Sequence, residues 1–467
     1  MTKRIEHDFL GEKELSPDVY YGIQTLRSLE NFHITGIPLK TEPVFVQALG
    51  YVKKAAALAN RDLGVLDANI ADYIVKACDR VIKGEFNDQF LSDLIQGGAG
   101  TSVNMNANEV IANIALEMMG KQKGQYEFCH PNNHVNCSQS TNDAYPTAFR
   151  IALMNKLTGY SHTLGALADA FEVKGEEFKD VLKMGRTQLQ DAVPMSMGQE
   201  FKAYATNLHE ELSRIEDSKS LIAEINMGAT AIGTGVNAPA GYADKVTMYL
   251  REVTGLDLKL AGDLIEATYD TGVYVQLSGV LKRTAIKVSK ICNDLRLLSS
   301  GPRCGLNEIN LPAMQPGSSI MPGKVNPVIP EVVNQTAFYV IGADLTVTLA
   351  AEAGQLQLNV MEPVISYALF TAITYMTNAC KTLREKCVLG ITANADRTKE
   401  MVMNSIGIVT QLNPIIGYEK SAAIAREALE TGKSVHDIAV KEQKFITQEK
   451  WEEIFTPSNM IYPRFIQ

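Results

Sequence analysis

The sequence predicts an all-α protein of three domains, built around a central bundle of five long helices. Apolar side chains recur at three- and four-residue steps over five stretches, which is typical of amphipathic helices. These stretches run for about 24–33 residues, well beyond the mean helix length of about a dozen, so each must bury its apolar stripe against another helix. The length of 467 residues favours about three domains.

The five predicted helices lie in the middle of the chain. They cover residues 147–179, 194–226, 269–299, 331–358 and 364–387. In the second stretch, Phe201, Leu208, Ile215 and Ile222 follow the helical period. The stripes are broad and include small residues such as Ala350, which favours contact with more than one neighbouring helix. This breadth indicates an oligomer built on the bundle.

The two ends of the chain differ from its middle. Residues 1–143 mix turns with shorter helices and small strands. The residues from about 396 carry shorter amphipathic helices, such as the one predicted at 419–430. We therefore expect an N-terminal domain at 1–143, the long-helix bundle at 144–395 and a small C-terminal helical domain at 396–467.

The composition argues against several classes of protein. The formal net charge is −9 and the basic residues are scattered, whereas a nucleic-acid-binding protein needs a basic surface. No run of about 18 apolar residues exists, so we expect neither a transmembrane helix nor a membrane partner. The N-terminal residues lack the apolar segment of a signal peptide. Seven cysteines without a Cys-x-x-Cys motif indicate reduced thiols and a cytoplasmic location.

One pair of histidines has a spacing that resembles a metal-binding pair. His130 and His134 flank Pro131 and two asparagines, a composition that favours a loop over a helix face. The segment offers no carboxylate to complete a ligand set. We interpret both as structural or surface histidines and predict no metal site.

The most informative stretch is residues 317–327, with the sequence GSSIMPGKVNP. Glycine and proline hinges surround two adjacent hydroxyls, Ser318 and Ser319, followed by Lys324 and Asn326. Such a loop can move and can place a hydroxyl oxygen beside a cation. An ordinary surface loop is the alternative, because these residue types also dominate turns.

A phosphate-binding loop does not fit the same stretch. The Walker pattern has four residues between its first glycine and the Gly-Lys pair, and a serine or threonine after the lysine. Here five residues separate Gly317 from Gly323, and Val325 follows the lysine.

Three further segments rich in hydroxyl groups, residues 96–102, 138–143 and 185–188, lie just before predicted helices. Asn326 likewise leads into the helix predicted from Glu331. Helix N-termini present unpaired backbone N–H groups and the positive end of the dipole, so each start can hold a carboxylate. Capping alone explains any single segment. The four together, with Lys324, predict a site for a small polyanion.

These segments carry a resemblance to a known family. Residues 317–327 match, position by position, the signature loop of the aspartase/fumarase superfamily of lyases. Residues 100–106, 134–136, 138–143, 185–191 and 228–235 resemble further signature regions, and the similarity extends over essentially the whole chain. The resemblance implies a homotetramer with a helical core, in which each active site draws loops from three chains.

The likeness is closer to the aspartase branch than to class II fumarases. Fumarases usually carry histidine at the position of Gln188 and serine at the position of Thr141, and their signature loop continues differently from residues 328–331. Glutamine cannot transfer a proton. That suits an ammonium group, which leaves as neutral ammonia, better than a hydroxide, which needs acid help. Residues 355–363 also resemble the aspartase version of their region.

The resemblance implies elimination of ammonia from L-aspartate to give fumarate, so the expected partner is a small dicarboxylate or amino-acid substrate. Removal of the Cβ proton creates a doubly charged aci-carboxylate that needs hydrogen-bond donors. The roles implied are aci-carboxylate donors for Thr101, Ser140, Thr141 and Ser319, α-carboxylate binding for Lys324 and Asn326, and ammonium binding for Asn142, Thr187 and Gln188.

The same resemblance makes Ser318 the general base. Backbone N–H groups of the loop and Lys324 would stabilise its alkoxide when the loop closes. The residues by themselves do not choose between Ser318 and Ser319. Glu331 would support Gln188 from behind, although an acid in the first turn of a helix is also favoured by the dipole.

No organic cofactor is expected. The chain has no Ala-Ser-Gly triplet for a self-made electrophile and no G-x-G-x-x-G fingerprint. A Schiff-base role for Lys324 is a weaker alternative. Three other functions stay open: a class II fumarase, an ammonia-lyase for a substituted aspartate, and a non-catalytic structural relative.

Overall fold

The computed structural model describes residues 3–462. Its α-helices are α1 Ile23–Asn31, α2 Pro43–Asp62, α3 Ala68–Ile82, α4 Thr101–Met118, α5 Thr141–Glu177, α6 Met197–Ile222, α7 Tyr242–Thr254, α8 Glu266–Tyr269, α9 Gly272–Leu298, α10 Val328–Glu352, α11 Glu362–Lys386, α12 Ala395–Asn404, α13 Asn413–Ile416, α14 Tyr418–Thr431, α15 Gln448–Ile454 and α16 Pro457–Ile461. No helix within this described range has the length and hydropathy needed to cross a membrane.

The strands are few and short. They are β1 Arg4–Asp8, β2 Gly11–Leu15, β3 Leu182–Thr187, β4 Gln190–Ser196, β5 Glu224–Ile225, β6 Lys259–Leu260, β7 Ile309–Asn310 and β8 Thr392–Ala393. They pair in sequence order as β1–β2, β3–β4, β5–β6 and β7–β8. The β5–β6 pair is parallel, and the other three pairs are antiparallel.

The predicted helical fold class is confirmed. The five long stretches correspond to α5, α6, α9, α10 and α11, and each observed helix overlaps its predicted range. The short helix predicted at 419–430 corresponds to α14. Small strands near the N-terminus, which the composition suggested, are present as β1 and β2.

The chain divides into two compact units. The first contains the residues up to 161, 213–283 and 338–376, and the second contains 162–212, 284–337 and the residues from 377 onward. The boundaries between the units fall inside the five long helices. The division into three domains stays a prediction.

An aromatic cluster forms the core of the first unit. Phe45 of α2 lies with its ring centroid 5.3 Å from those of both Tyr145 and Phe370. Phe149 of α5 lies 4.7 Å from Tyr274 of α9. All five rings are at most 1% exposed, so the cluster fixes the beginning of α5 against α2, α9 and α11.

The start of α4 is fixed by the same cluster. Gly100 precedes the helix with φ +94°, a conformation that favours glycine. A Cβ atom at Gly100 would lie 2.3 Å from Cδ2 of Tyr145, so the ring leaves no room for a side chain there. The N-termini of α4 and α5, which carry Thr101 and Thr141, are therefore held by one packed core.

In the second unit, β3 packs against the C-terminal helices. Leu182 and Met184 alternate into an apolar cluster with Val402, Ile408 and Trp451. Successive residues of a strand point to opposite faces, so Leu182 and Met184 share the face that packs against this cluster. The cluster holds the β3–β4 hairpin in place at its base.

Candidate active site

Ser140 begins α5 as its capping residue. Its Oγ accepts a hydrogen bond from the backbone N–H of Asn142 at 3.3 Å, and its own N–H donates to Oδ1 of Asp143 at 2.9 Å. Reciprocal bonds of this kind form a capping box. A helix does start at this segment, as predicted, but it begins at Thr141, within residues 138–143 rather than after them, and the box explains this position.

The next two residues are held by neighbouring amides. Oγ1 of Thr141 accepts from Nδ2 of Asn104 at 3.2 Å. Nδ2 of Asn142 donates to the carbonyl of Ala231 at 2.8 Å. Pro146 has no N–H to give to the Asn142 carbonyl four residues back. Nδ2 of Asn226 donates to that carbonyl instead, at 3.0 Å.

Asp143 joins the start of α5 to a second loop. Its side chain is buried, and its Oδ2 accepts from the N–H groups of Gly228 at 3.1 Å and Thr230 at 2.9 Å. Burial raises the pKa of Asp143 to about 6, against the effect of the backbone donors, which favour the carboxylate. Sequence reasoning missed this role. The Ser-x-x-Asp spacing of a capping box was the available signal.

Thr101 occupies the first position of α4 and is exposed. Its hydroxyl donates to the carbonyl of Gly98 at 2.8 Å. The predicted helix start is confirmed here too. One turn further along, Asn104 makes the contact with Thr141 described above, so the starts of α4 and α5 come together in the first unit.

The helix start predicted at residues 185–188 is wrong. Thr187 ends β3, and Gln188 forms the turn of the β3–β4 hairpin together with Leu189, while the next helix begins only at Met197. Both turn residues have positive φ, +54° and +63°, as a two-residue type I′ turn requires. Residues 185–188 belong to the hairpin because Leu182 and Met184 have the two-residue period of a strand, whereas the helical pattern begins only after the hairpin.

A buried ionic cluster braces the hairpin within the second unit. Nζ of Lys183 lies 2.6 Å from Oε2 of Glu200 and 3.1 Å from Oε2 of Glu308. Nη1 of Arg186 lies 2.5 Å from Oε1 of Glu308. Lys183 and Glu308 are 2% and 1% exposed. Thr187 and Gln188 are exposed on the tip of this braced hairpin.

The signature loop closes on itself. The N–H of Gly317 donates to the carbonyl of Lys324 at 2.7 Å, and Nδ2 of Asn326 donates to the carbonyl of Gly317 at 2.8 Å. A Cβ at Gly317 would lie 2.9 Å from the Asn326 nitrogen and the Lys324 carbonyl oxygen. Glycine is therefore required where the two ends of the loop meet. The predicted helix start after Asn326 is confirmed, with α10 beginning at Val328.

Ser318 lies at the point where two backbone donors converge. Its Oγ accepts from the N–H groups of Ile320 at 3.2 Å and Met321 at 3.0 Å. Ser319 and Lys324 are exposed on the same loop. Glu331 is half-buried in the first turn of α10, and within residues 3–462 its side chain forms no hydrogen bond or ion pair. Its support of Gln188 stays a prediction.

The two histidines near residue 130 bind the backbone. Nδ1 of His134 accepts from the N–H of His130 at 2.9 Å. Nδ1 of His130 accepts from Asn132 at 3.0 Å and from Asn133 at 3.3 Å, across a π-helical turn. These bonds fit structural histidines. The described residues contain no group of three or more His, Cys, Asp or Glu side chains arranged to hold a metal ion.

Comparison with known proteins identifies the family. The lyase family matches residues 11–342, and the fumarase C C-terminus family matches residues 408–462. The aspartate ammonia-lyase of Helicobacter pylori (strain J99) is 60% identical over 460 residues, covering 98% of each chain. The chain belongs to the aspartase/fumarase superfamily of lyases.

Solved structures of this superfamily share the fold. A fumarate lyase:delta crystallin from Brucella melitensis, bound to cobalt, superposes with a TM-score of 0.96 at 51% identity, covering 99% of this chain and 100% of that one. A class II fumarase from Schistosoma mansoni has a TM-score of 0.93 at 36% identity, with the same coverage. The described part of the chain therefore has the fold of these lyases.

The ionic cluster beneath the hairpin gives a testable prediction. Glu308→Gln leaves Lys183 and Arg186 facing a neutral amide, and loss of one partner of a buried ion pair costs about 3–5 kcal/mol. We expect the free energy of unfolding in urea to fall by about that amount. Glu200→Gln is the matched control. Its side chain is 21% exposed, and we expect a loss of about 1 kcal/mol. Equal losses from the two variants would contradict the role of Glu308.

Proposed function

We propose that this protein is an aspartate ammonia-lyase, which eliminates ammonia from L-aspartate to give fumarate and catalyses the reverse addition. The observation that carries the proposal is 60% sequence identity, over 98% of each chain, to a protein of that name. The chemistry of each residue supports it further.

Ser318 is the general base of the proposed reaction. A serine hydroxyl is a weak base unless its alkoxide is stabilised. Two backbone N–H groups point at Oγ of Ser318, an arrangement that stabilises negative charge on that oxygen. Ser319 receives no such pair of donors among the described residues. This difference supports Ser318 as the base, a choice that the residues alone leave open.

The alkoxide of Ser318 takes the proton from Cβ of aspartate. The electron pair moves into the β-carboxylate, which becomes the doubly charged aci-form. When this pair returns to form the Cα–Cβ double bond, the C–N bond breaks and ammonia leaves. The transition state therefore needs hydrogen-bond donors at the β-carboxylate more than the ground state does.

The start of α5 supplies such donors. Oγ of Ser140 accepts from the N–H of Asn142, and Oγ1 of Thr141 accepts from Asn104, so each hydroxyl keeps its own proton for the substrate. Thr101 would turn from Gly98 to join them. Ser319, on the signature loop, is the fourth donor to the β-carboxylate.

The other end of the substrate needs different partners. Lys324 and Asn326 bind the α-carboxylate, since Asn326 uses one amide hydrogen on Gly317 and has a second to offer. Asn142, Thr187 and Gln188 hold the ammonium group, and Glu331 supports Gln188. A neutral glutamine suits a leaving group that already carries its proton.

The protein works as a homotetramer in this proposal. Helix α10 carries apolar side chains that are exposed in the single chain: Val332, Phe338, Tyr339, Leu345 and Leu349 are 41–64% exposed. A helix that is apolar on several sides calls for burial against more than one neighbour. Packing of α10 between subunits provides that burial and brings loops of different chains into one site.

The free cysteines support a cytoplasmic location. All seven cysteines are free. Free thiols in this number suit the reducing cytoplasm.

The rival activities differ in their substrates. With L-aspartate and L-malate offered separately, ultraviolet absorbance should show fumarate from aspartate alone. Ser318→Ala should lower kcat by about 10²–10⁴-fold, because it removes the base. Ser319→Ala is the matched control and should lower kcat less, as the loss of one donor.

Three results would count against this assignment. Fumarate from malate alone would mean a hydratase. No fumarate from either substrate would favour an ammonia-lyase for a substituted aspartate, or a non-catalytic role. A Ser318→Ala variant of near-normal kcat beside an inactive Ser319→Ala variant would move the base to Ser319.

Assembly gives a further prediction. Leu345→Lys combined with Leu349→Lys puts two charges on the apolar face of α10, where burying them is costly. Sedimentation should show smaller species, and these should be inactive. Leu429→Lys is the control, because Leu429 is 75% exposed on α14, outside this face. An active, proven monomer would contradict shared active sites.

A further inference from the structure

A lysine is completely buried behind the start of α5. Lys53 of α2 is 0% exposed, and its Nζ donates to three amide oxygens. These are Oδ1 of Asn104 at 2.6 Å, Oδ1 of Asn136 at 3.0 Å and Oε1 of Gln139 at 2.9 Å. The ammonium has three hydrogens, so this cage uses all of them.

The ammonium decides which way each amide faces. A side-chain amide can present its oxygen or its nitrogen in nearly the same space, and its neighbours determine the choice. Lys53 can only donate, so all three amides must turn their oxygens toward it. Nδ2 of Asn136 then donates to the carbonyl of Gln139 at 3.1 Å. With the oxygen of Asn104 bound to Lys53, its Nδ2 points away from the ammonium.

The orientation of Asn104 reaches Thr141. Nδ2 of Asn104 donates to Oγ1 of Thr141 at 3.2 Å and to Oδ1 of Asn136 at 3.1 Å. A threonine hydroxyl has one proton to donate. Because its oxygen accepts from Asn104, that proton must point elsewhere, and Thr141 is half-buried at the edge of the proposed site.

We propose that Lys53 is a positioning residue for the elimination. It fixes the Asn104 amide so that Thr141 presents its hydroxyl proton to the β-carboxylate of the substrate. This role rests on the proposed function, because it assumes that the β-carboxylate of aspartate accepts the hydrogen bond from Thr141. Lys53 itself touches no substrate and acts through Asn104.

The charged form of Lys53 suits this task. A neutral amine has two hydrogens, so one amide of the cage would be released. Burial lowers the pKa of Lys53 to about 7, while buried Asp143 acts in the opposite direction. Three amide oxygens directed at Nζ also favour the cation.

A purely structural role is the alternative. Lys53 would then satisfy buried amides and stabilise the fold without favouring the transition state. The two roles predict different effects of a Lys53 substitution on the binding of two inhibitors of equal charge. Succinate resembles the ground-state dicarboxylate. The dianion of 3-nitropropionate carries a nitronate, which spreads its charge over two oxygens as the aci-carboxylate does, so it needs the Thr141 proton more.

The test compares Lys53→Met with Lys54→Met. Methionine keeps much of the length of lysine but donates nothing, so the Asn104 amide becomes free to turn and capture the Thr141 proton. Lys54 is the next residue of α2, and its Nζ lies 2.6 Å from Oδ1 of Asp79 at the surface. The measurements are the inhibition constants of both dianions, and kcat and KM for L-aspartate.

For Lys53→Met we expect nitronate binding to weaken about 10-fold more than succinate binding. We expect kcat to fall by about 10-fold or more, toward the 10²–10³-fold that loss of a full donor causes, with KM changing less. Lys54→Met should match the wild type in all four quantities.

A second variant covers the case in which Lys53→Met does not fold. Asn104→Asp keeps the shape of the side chain and forms an ion pair with Lys53, which sustains the cage. A carboxylate can only accept, so it takes the proton of Thr141 away from the substrate. The added negative charge affects both dianions alike, and the selective loss of nitronate binding should remain.

The outcomes separate the two proposals. If folded Lys53→Met and Asn104→Asp lose succinate and nitronate binding equally, or lose neither, the positioning role is overturned while the ammonia-lyase assignment stands. If the wild type makes no fumarate from L-aspartate, the proposed function falls, and this role falls with it.

Discussion

The capping box between Ser140 and Asp143 is the interaction on which the first half of the site depends. It sets the start of α5 and leaves the Ser140 hydroxyl proton free. The second oxygen of Asp143 fixes the loop at Gly228 and Thr230. One buried carboxylate thus organises the backbone that carries the half-buried hydroxyls of Ser140 and Thr141.

In the proposed site, the groups assigned to the substrate differ from the groups that hold them in place. Hydroxyls such as those of Thr141 and Ser318 are half-buried, the first at a helix start and the second on a closed loop. Charged groups are fully buried and paired: Lys53 and Asp143 near the start of α5, and Glu308 beneath the β3–β4 hairpin. Buried charge is costly unless it is paired, so these groups resist rearrangement and keep the donors in fixed directions. Preorganised donors of this kind stabilise developing charge without reorganising during the reaction.

Much of the fold and part of the site could be predicted from the sequence. Helical periodicity over long stretches located all five long helices, because a repeat of that length has one structural solution. The loop with Ser318 and Lys324 stood out through its residue types. The hairpin that carries Gln188 was missed, because its strands are short and its turn uses two non-glycine residues with positive φ. Lys53 was missed because a lysine in a helical stretch normally points to solvent, and only tertiary packing buries it.

The central claim is that donors at the start of α5 and the base on the signature loop serve one active site from different subunits. Thr141→Ala and Ser318→Ala proteins should each be nearly inactive alone. The deciding measurement is fumarate formation after the two are unfolded, mixed and reassembled together. The account predicts recovered activity, because some sites in mixed tetramers receive an intact Thr141 from one chain and an intact Ser318 from another. Mixtures that stay as inactive as their parents would contradict it.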